Sequence, residues 1–294
     1  MKVGVLGLGS IGGRHADNLK KLGHNVIGYD PKIHADISRE EVIEEAEAIV
    51  IASPSNQHLK DILDCIGKPT FVEKPMASSS HIKFTEAAHL IVAINNLFVG
   101  YNLRFHPCVR QMKKWIHDEW RIGGPLYASF VCGQYNAKSE YLRDGVILNW
   151  SHEIDLALHL LGPGEVAGSV TRTSNDYGQD DMTDILIKHY NGAHSHIHLD
   201  YATIPEMRTG FIQGSEGYME YALSPRPGSV YLGMKSKDTE IYNDTFINYD
   251  NDYLEEMKAF IRYAEGGDPG PACMGKEALD VLDICLKVRE QAGL

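Results

Sequence analysis

Blocks of basic residues are missing from this chain. Lys and Arg number 28 against 40 Asp and Glu, for a formal net charge of −12. No surface of that kind attracts a phosphate backbone, which excludes nucleic acid as a partner. Cysteine is scarce. The five present (Cys65, Cys108, Cys132, Cys273, Cys285) are odd in number and widely spaced, with no CxxC pair. That argues against a disulfide framework or a zinc knuckle and fits a reducing cytosol. No apolar run is long enough to span a bilayer, and the N-terminus enters a strand at once with no signal peptide in front. The expectation is a cytoplasmic protein with no membrane contact. Repeats and low-complexity linkers are also lacking. What remains is an ordinary soluble composition, 43% hydrophobic and 23% charged. At 294 residues the chain exceeds one ordinary core, so two domains are expected.

Residues 1–100 read as a dinucleotide-binding domain. Val3 to Leu6 is a short apolar run of the kind a strand buried on both faces shows. It runs into Gly7-Leu8-Gly9-Ser10-Ile11-Gly12, and a helical pattern with Ile11, Leu19 and Leu22 follows, stopped by Gly23. A second strand, Val26 to Tyr29, ends in Asp30. A glycine fingerprint between strand and helix, with an acid closing the next strand, is the full dinucleotide-binding context. Gly7 allows the tight turn, Gly9 the close approach of a pyrophosphate, and Gly12 the packing of helix on strand. Amides of the first helical turn, at Ser10 and Ile11, face the phosphates. Asp30 would bind the ribose hydroxyls and repel a 2′-phosphate, favouring NAD over NADP. Its other reading is a turn acid before Pro31.

Ser38 and Glu41 have capping-box spacing and start a short acidic helix. The third strand, Ala48 to Ala52, leads into Ser53, Pro54 and His58. These are candidate cofactor-wall residues at the carboxyl end of a strand, although His58 also reads as a plain surface histidine. Ser55 is the expected cap of the helix carrying Leu59, Ile62, Leu63 and Ile66. The fourth strand, Thr70 to Val72, ends at Glu73-Lys74-Pro75. Pro75 forbids a simple continuation of the sheet, and the X-Pro bond before it is one that can be cis. Lys74 is thereby delivered where cofactor and substrate would meet. A helix from Ser80 to His89 and a strand from Leu97 to Tyr101 close this half.

Together these residues resemble the glucose–fructose oxidoreductase / inositol dehydrogenase / MocA family of NAD(P)-dependent oxidoreductases. The resemblance rests on the glycine fingerprint with Asp30, the Ala52-Ser53-Pro54 loop with His58, and Glu73-Lys74-Pro75. It continues through Tyr101-Asn102-Leu103-Arg104-Phe105-His106-Pro107 and Ser151-His152-Glu153-Ile154-Asp155. It implies an α/β fold: an N-terminal Rossmann doubly wound parallel sheet, then an α+β domain with a large, mostly antiparallel sheet. It implies an enzyme passing hydride between nicotinamide and a CH–OH or carbonyl carbon of a sugar, nucleotide sugar or cyclitol. Lys74 and His152 would handle the proton, with Glu73 beside the cofactor. The family usually has an aspartate three or four residues before the histidine. Here those positions are Asn149 and Leu148, and an amide cannot take a proton. That departure motivates an alternative: a cofactor-binding sensor that kept the fold and lost catalysis.

Residues 101–294 read as the substrate-binding and oligomerisation domain. Arg104 is either a clamp for a substrate carboxylate or phosphate, or a salt bridge between the domains. An amphipathic helix from Val109 to Trp120 is expected. Ser151 or Asn149 can cap a helix that ends at Gly162-Pro163-Gly164, with Ile154, Leu158 and Leu161 as its buried stripe. His152 falls in its first turn, where the helix dipole disfavours imidazolium, as a general base requires. Asn149, Arg104 and His152 are the candidate substrate contacts, and Asp155 a structural residue. Hairpin signals from Val166 to Tyr242 predict an open antiparallel sheet. One of its faces should be covered by a second subunit, in a homodimer or homotetramer. His194, His196 and His198 share one face of a strand, but no Cys or carboxylate partner has metal-site spacing, so no metal is expected. Two closing helices, Tyr253 to Ala264 and Gly275 to Ala292, read as packing.

Overall fold

The first strand explains the first unit. In β1 (Lys2–Leu6), Val3 and Val5 are fully buried, and the strand is flanked on both sides by parallel neighbours. The computed structural model describes residues 1–33, 37–78, 97–135, 144–173, 178–224, 228–234, 239–243 and 251–294. The helix expected at 80–89 lies outside the described residues. The chain divides into two units. The first holds Met1–Phe105 and Asp250–Leu279, the second His106–Tyr249 and Asp280–Leu294. A single cut at residue 100 therefore misses a returning segment. It returns because β14 (Cys273–Met274) pairs antiparallel with β5 (Leu97–Gly100), and because the helix 251–264 packs on the helix 10–21.

The first unit has a six-stranded sheet in the order β14-β5-β4-β3-β1-β2. Its members are β2 (Asn25–Tyr29), β3 (Ala48–Ile51) and β4 (Thr70–Glu73) beside β1 and β5, all parallel. The four residues of each of β3, β4 and β5 are buried, as continuous apolar strands in a covered parallel sheet should be. The helices are α1 (Ser10–Lys21), α2 (Arg39–Glu45) and α3 (His58–Asp64). The Ser38–Glu41 capping box forms as expected. The Ser55 cap does not. The N-cap of α3 is Gln57 with no side-chain bond, because a turn from Pro54 to Gln57 (2.7 Å) takes up the preceding residues. Phe71 and Phe98 meet Phe260 at centroid distances of 5.7 and 5.8 Å, and each other at 5.5 Å. Such ring pairs add about 0.5–1.5 kcal/mol each beyond their burial. They make a stiff base under the strand that carries Lys74.

The second unit has an eight-stranded sheet in the order β13-β12-β11-β10-β6-β9-β8-β7, antiparallel except where β6 meets β9. Its strands are β6 (Pro125–Gly133), β7 (Gly164–Arg172), β8 (Met182–His189), β9 (His194–Asp200), β10 (Met207–Gly214), β11 (Gly217–Ser224), β12 (Ser229–Met234) and β13 (Thr239–Asn243). In β8, β9 and β11 burial alternates along the strand, the pattern of a sheet with one packed face. The helix expected from Val109 to Trp120 is shorter. It runs as α4 (Pro107–Lys113), then widens into a π turn (Lys114–Asp118). Next come α5 (Val146–Asn149) and α6 (His152–Leu161). Leu158 is not in the buried stripe of α6. The whole first two turns, His152 to Ala157, are buried, so no polar face is left at that end. The chain closes with α7 (Asn251–Ala264) and α8 (Gly275–Gln291), whose first residues count with the first unit. Among the described residues no helix is long and apolar enough to cross a membrane.

Candidate active site

The glycine loop shows why each of its glycines is there. Gly7 has φ +91°, and a Cβ on it would stand 2.5 Å from the carbonyl oxygen of Ala52. A Cβ on Gly12 would stand 1.9 Å from the carbonyl of Gly7. Those two positions are closed by the chain itself. Gly9 differs: its φ is −64°, and a Cβ there would meet nothing within 4 Å. The fold does not demand glycine at Gly9, so its small size serves whatever approaches the loop. Gly9 is also the N-cap of α1, with no side-chain cap bond and no acidic residue in the first turn. The amides there, Ser10 and Ile11 included, have no intrahelical partner and carry the positive end of the helix dipole.

Asp30 is tied to this loop. Its carboxylate accepts from the Leu8 amide at 2.8 Å and from the Lys32 amide at 2.8 Å. Asp30 thus closes its own turn, as the turn-acid reading expects, and braces the glycine loop, while its oxygens keep lone pairs for further donors.

The loops after β3 and β4 converge on a buried histidine. His58 is 2% exposed, with Nδ1 2.8 Å from the carbonyl of Pro75 and Nε2 2.7 Å from the carbonyl of Ser53. It is not a surface histidine. Burial pulls its pKa below the ordinary imidazole value, against the two carbonyls and the nearby Glu73 and Asp61 carboxylates. Ser53 donates its hydroxyl to Asp61 at 2.6 Å, and Asp61 is paired with Arg39 at 2.6 Å. Pro54 lies between, as the start of the turn before α3. On the other side of Lys74, Glu73 lies 2.6 Å from Nε2 of the fully buried His15 in α1. The Lys74–Pro75 peptide is cis. Gly7, Asp30, Ser53, His58, Glu73 and Lys74 are thus gathered around the carboxyl ends of one parallel sheet, the place where such sheets bind ligands. His15 and Asp61 went unnoticed in the sequence. Only the spacing of His15 with Leu19 on the buried face of α1 gives a hint of the former.

Arg104 is 1% exposed, donates to the carbonyl of Ala272 at 3.1 Å, and pairs with Glu277 at 3.1 Å, both partners lying in the first unit.

In the second unit, the N-cap of α6 is Ser151, with no side-chain cap bond, so the cap expected from Ser151 or Asn149 is absent. His152 is the first residue of α6 and 8% exposed. Asn149, three residues earlier, donates its amide to the hydroxyl of Tyr201 at 2.7 Å, and Trp150 meets the Tyr201 ring edge-on at 4.9 Å. Next to His152, buried Glu153 pairs with Arg208 at 2.6 Å. Burial works to lower the Arg208 pKa, and the Glu153 carboxylate and Cys132 more than offset it, holding the guanidinium firmly charged. Beneath α5, Asp180 accepts from the Ile147 amide at 2.7 Å and pairs with the buried Arg289. Burial raises the Asp180 pKa against those partners. The three histidines of β9 do share a face. His196 and His198 both lie 2.9 Å from Asp184, while His194 rests on Tyr127. Lys74 belongs to the first unit and His152 to the second.

Comparison with known proteins agrees with these motifs. Residues 1–65 match the NAD binding domain of D-isomer specific 2-hydroxyacid dehydrogenases, and residues 109–220 match the GFO/IDH/MocA C-terminal domain. A myo-inositol 2-dehydrogenase of Thermotoga maritima is 26% identical over 94% of this chain and 92% of its own length. A scyllo-inositol 2-dehydrogenase (NAD(+)) of Bacillus subtilis is 26% identical over 91% and 87%. Among solved structures, a UDP-N-acetylglucosamine 3-dehydrogenase from Acidithiobacillus ferrooxidans has the same fold, with a TM-score of 0.82 at 19% identity over 99% of this chain and 97% of that one. The chain thus pairs an NAD-binding half with a segment similar to the GFO/IDH/MocA C-terminal domain, and the two curated relatives named above are inositol dehydrogenases.

Proposed function

We propose that this protein is an NAD-dependent dehydrogenase acting on a CH–OH carbon of a small polyhydroxylated substrate, with a cyclitol as the leading class and sugars or nucleotide sugars next. One observation carries the reading. The open space at Gly9, the Asp30 carboxylate and the strand end bearing Lys74 share the carboxyl edge of a single parallel sheet. The residues fit a dinucleotide. Amides of Ser10 and Ile11 at the start of α1 suit a pyrophosphate, and Asp30 suits the ribose hydroxyls of NAD. The cyclitol class is supported by the names of the Thermotoga maritima and Bacillus subtilis relatives.

NAD, when bound, supplies the hydride acceptor. The chain's own part is to bind the polyol, orient one carbinol and take its proton. Lys74 stabilises the developing alkoxide or relays its proton, as an ammonium at a site of developing negative charge does. His152 accepts that proton in the first turn of α6. Asn149 takes no proton. Its amide, fixed on the Tyr201 hydroxyl, is suited to orienting a substrate hydroxyl. The test is NADH formation in the presence of NAD and a panel of cyclitols, sugars and nucleotide sugars. Growth of the NADH absorbance band with a cyclitol supports the reading. NAD binding in calorimetry without turnover on any member favours the sensor alternative instead.

A further inference from the structure

The mechanism above leaves His58 without a task, yet it is among the most constrained polar side chains of the first unit. Its ring is 2% exposed, and each nitrogen faces a backbone carbonyl oxygen, Pro75 at 2.8 Å and Ser53 at 2.7 Å. Those carbonyls belong to the two loops that leave β3 and β4 at the cofactor edge of the sheet. A side chain that merely filled the space would need no nitrogen at either place. Carbonyl oxygens only accept, and a ring that burial keeps neutral has one N–H, so the ring donates to one loop and packs against the other. We propose that His58 is a positioning residue, donating from Nδ1 to the Pro75 carbonyl and thereby setting the approach of Lys74.

Lys74 lies between two held neighbours. Pro75 is held through His58 from α3, and Glu73 through His15 from α1. Both helices stand on the same sheet, so the lysine is referenced to the elements that carry the glycine loop. Misplacing a catalytic group by about 1 Å costs on the order of a hundredfold in rate, which is the scale at which such a tie matters. The proposal rests on Lys74 acting at the substrate, as read above.

Asparagine and glutamine separate the two contacts. An Asn side chain places its amide nitrogen near the position of Nδ1, facing Pro75. A Gln side chain places it near Nε2, facing Ser53. His58→Asn, His58→Gln and His58→Leu are compared with the parent for kcat, NAD affinity, and hydrogen–deuterium exchange of segments 53–58 and 73–78. The expected order of kcat is parent, then Asn, with Gln and Leu lower by about tenfold or more. NAD affinity is measured beside kcat, and the loss in kcat should exceed any loss in affinity, because the contact acts through Lys74. Exchange in 73–78 should rise in Gln and Leu and not in Asn. A filler role predicts the reverse, with Leu equal to or better than Asn, and that result overturns the proposal. So does an exchange pattern in the expected order with no matching change in kcat. If Leu fails to fold, Asn against Gln decides. If the parent turns over no polyol, the functional reading fails, and the exchange order alone still tests the tie.

Discussion

Replacing Gly9 by alanine separates folding from cofactor binding more cleanly than any other change in the loop. The backbone at Gly9 has φ −64°, which alanine adopts without strain, and the added methyl meets nothing within 4 Å. Losing glycine's freedom in the unfolded chain stabilises by about 0.4–1 kcal/mol. Alanine is a poorer N-cap than glycine by an amount on the order of 0.5–1 kcal/mol, which offsets that gain. The net change in stability is therefore under about 1 kcal/mol, a shift of a few degrees at most in melting temperature. A methyl group between the loop and a pyrophosphate is another matter. It should weaken NAD binding at least tenfold, about 1.4 kcal/mol. Gly12→Ala is the contrast. Its methyl would stand 1.9 Å from the Gly7 carbonyl, so the backbone itself must move. Overpacking of that kind costs about 1–3 kcal/mol of stability. The assays are thermal unfolding and isothermal calorimetry with NAD. Unchanged NAD affinity in Gly9→Ala, in a protein that melts like the parent, would refute the loop as the cofactor cradle.

Asp30→Ala should lose the preference for NAD over NADP and also slacken the glycine loop, because the Leu8 amide loses its acceptor. A parent with higher kcat/KM for NADP contradicts the reading of Asp30. Asp180→Ala leaves the buried Arg289 guanidinium uncompensated and should destabilise the second unit by about 3–5 kcal/mol in denaturant titration. The double variant Asp180→Leu with Arg289→Met should recover much of that loss, and failure to do so would point to the Ile147 amide as the larger loss. All five cysteines are buried and outside any disulfide, and burial pushes Cys65, Cys132 and Cys285 up to about 12. The folded protein should resist a thiol reagent at neutral pH and react in full once denatured. Rapid labelling of the native protein would contradict the packing around these residues.

Most of the parallel sheet was legible in the sequence, because each strand buried on both faces reads as an unbroken apolar run and the glycine fingerprint begins where β1 ends. The hairpins of the second sheet were legible for a similar reason, since one packed face imposes a period of two. The returning segment was not. Pairing of β14 with β5 and packing of α7 on α1 are contacts far apart in sequence, and neither leaves a local pattern. The Glu277 partner of Arg104 was not legible, because an arginine beside aromatic residues looks the same whatever it pairs with. The burial of His58 was not legible, since its two carbonyl partners come from backbone that carries no residue-type signal. The helix at His152 reads as amphipathic, yet its first two turns are buried all round. Tyr201 as partner of Asn149 depends on tertiary register alone.

The central claim is that Lys74 and His152 together handle the proton of a carbinol oxidised with NAD. The most direct measurement is the rate of NADH formation with the best cyclitol, for the parent, Lys74→Ala and His152→Asn, each checked for NAD affinity. Loss of a positioned proton acceptor costs about a hundredfold to ten-thousandfold. The account predicts a loss of at least that lower size in both variants, with NAD affinity close to the parent. Turnover at the parent rate in Lys74→Ala would contradict it.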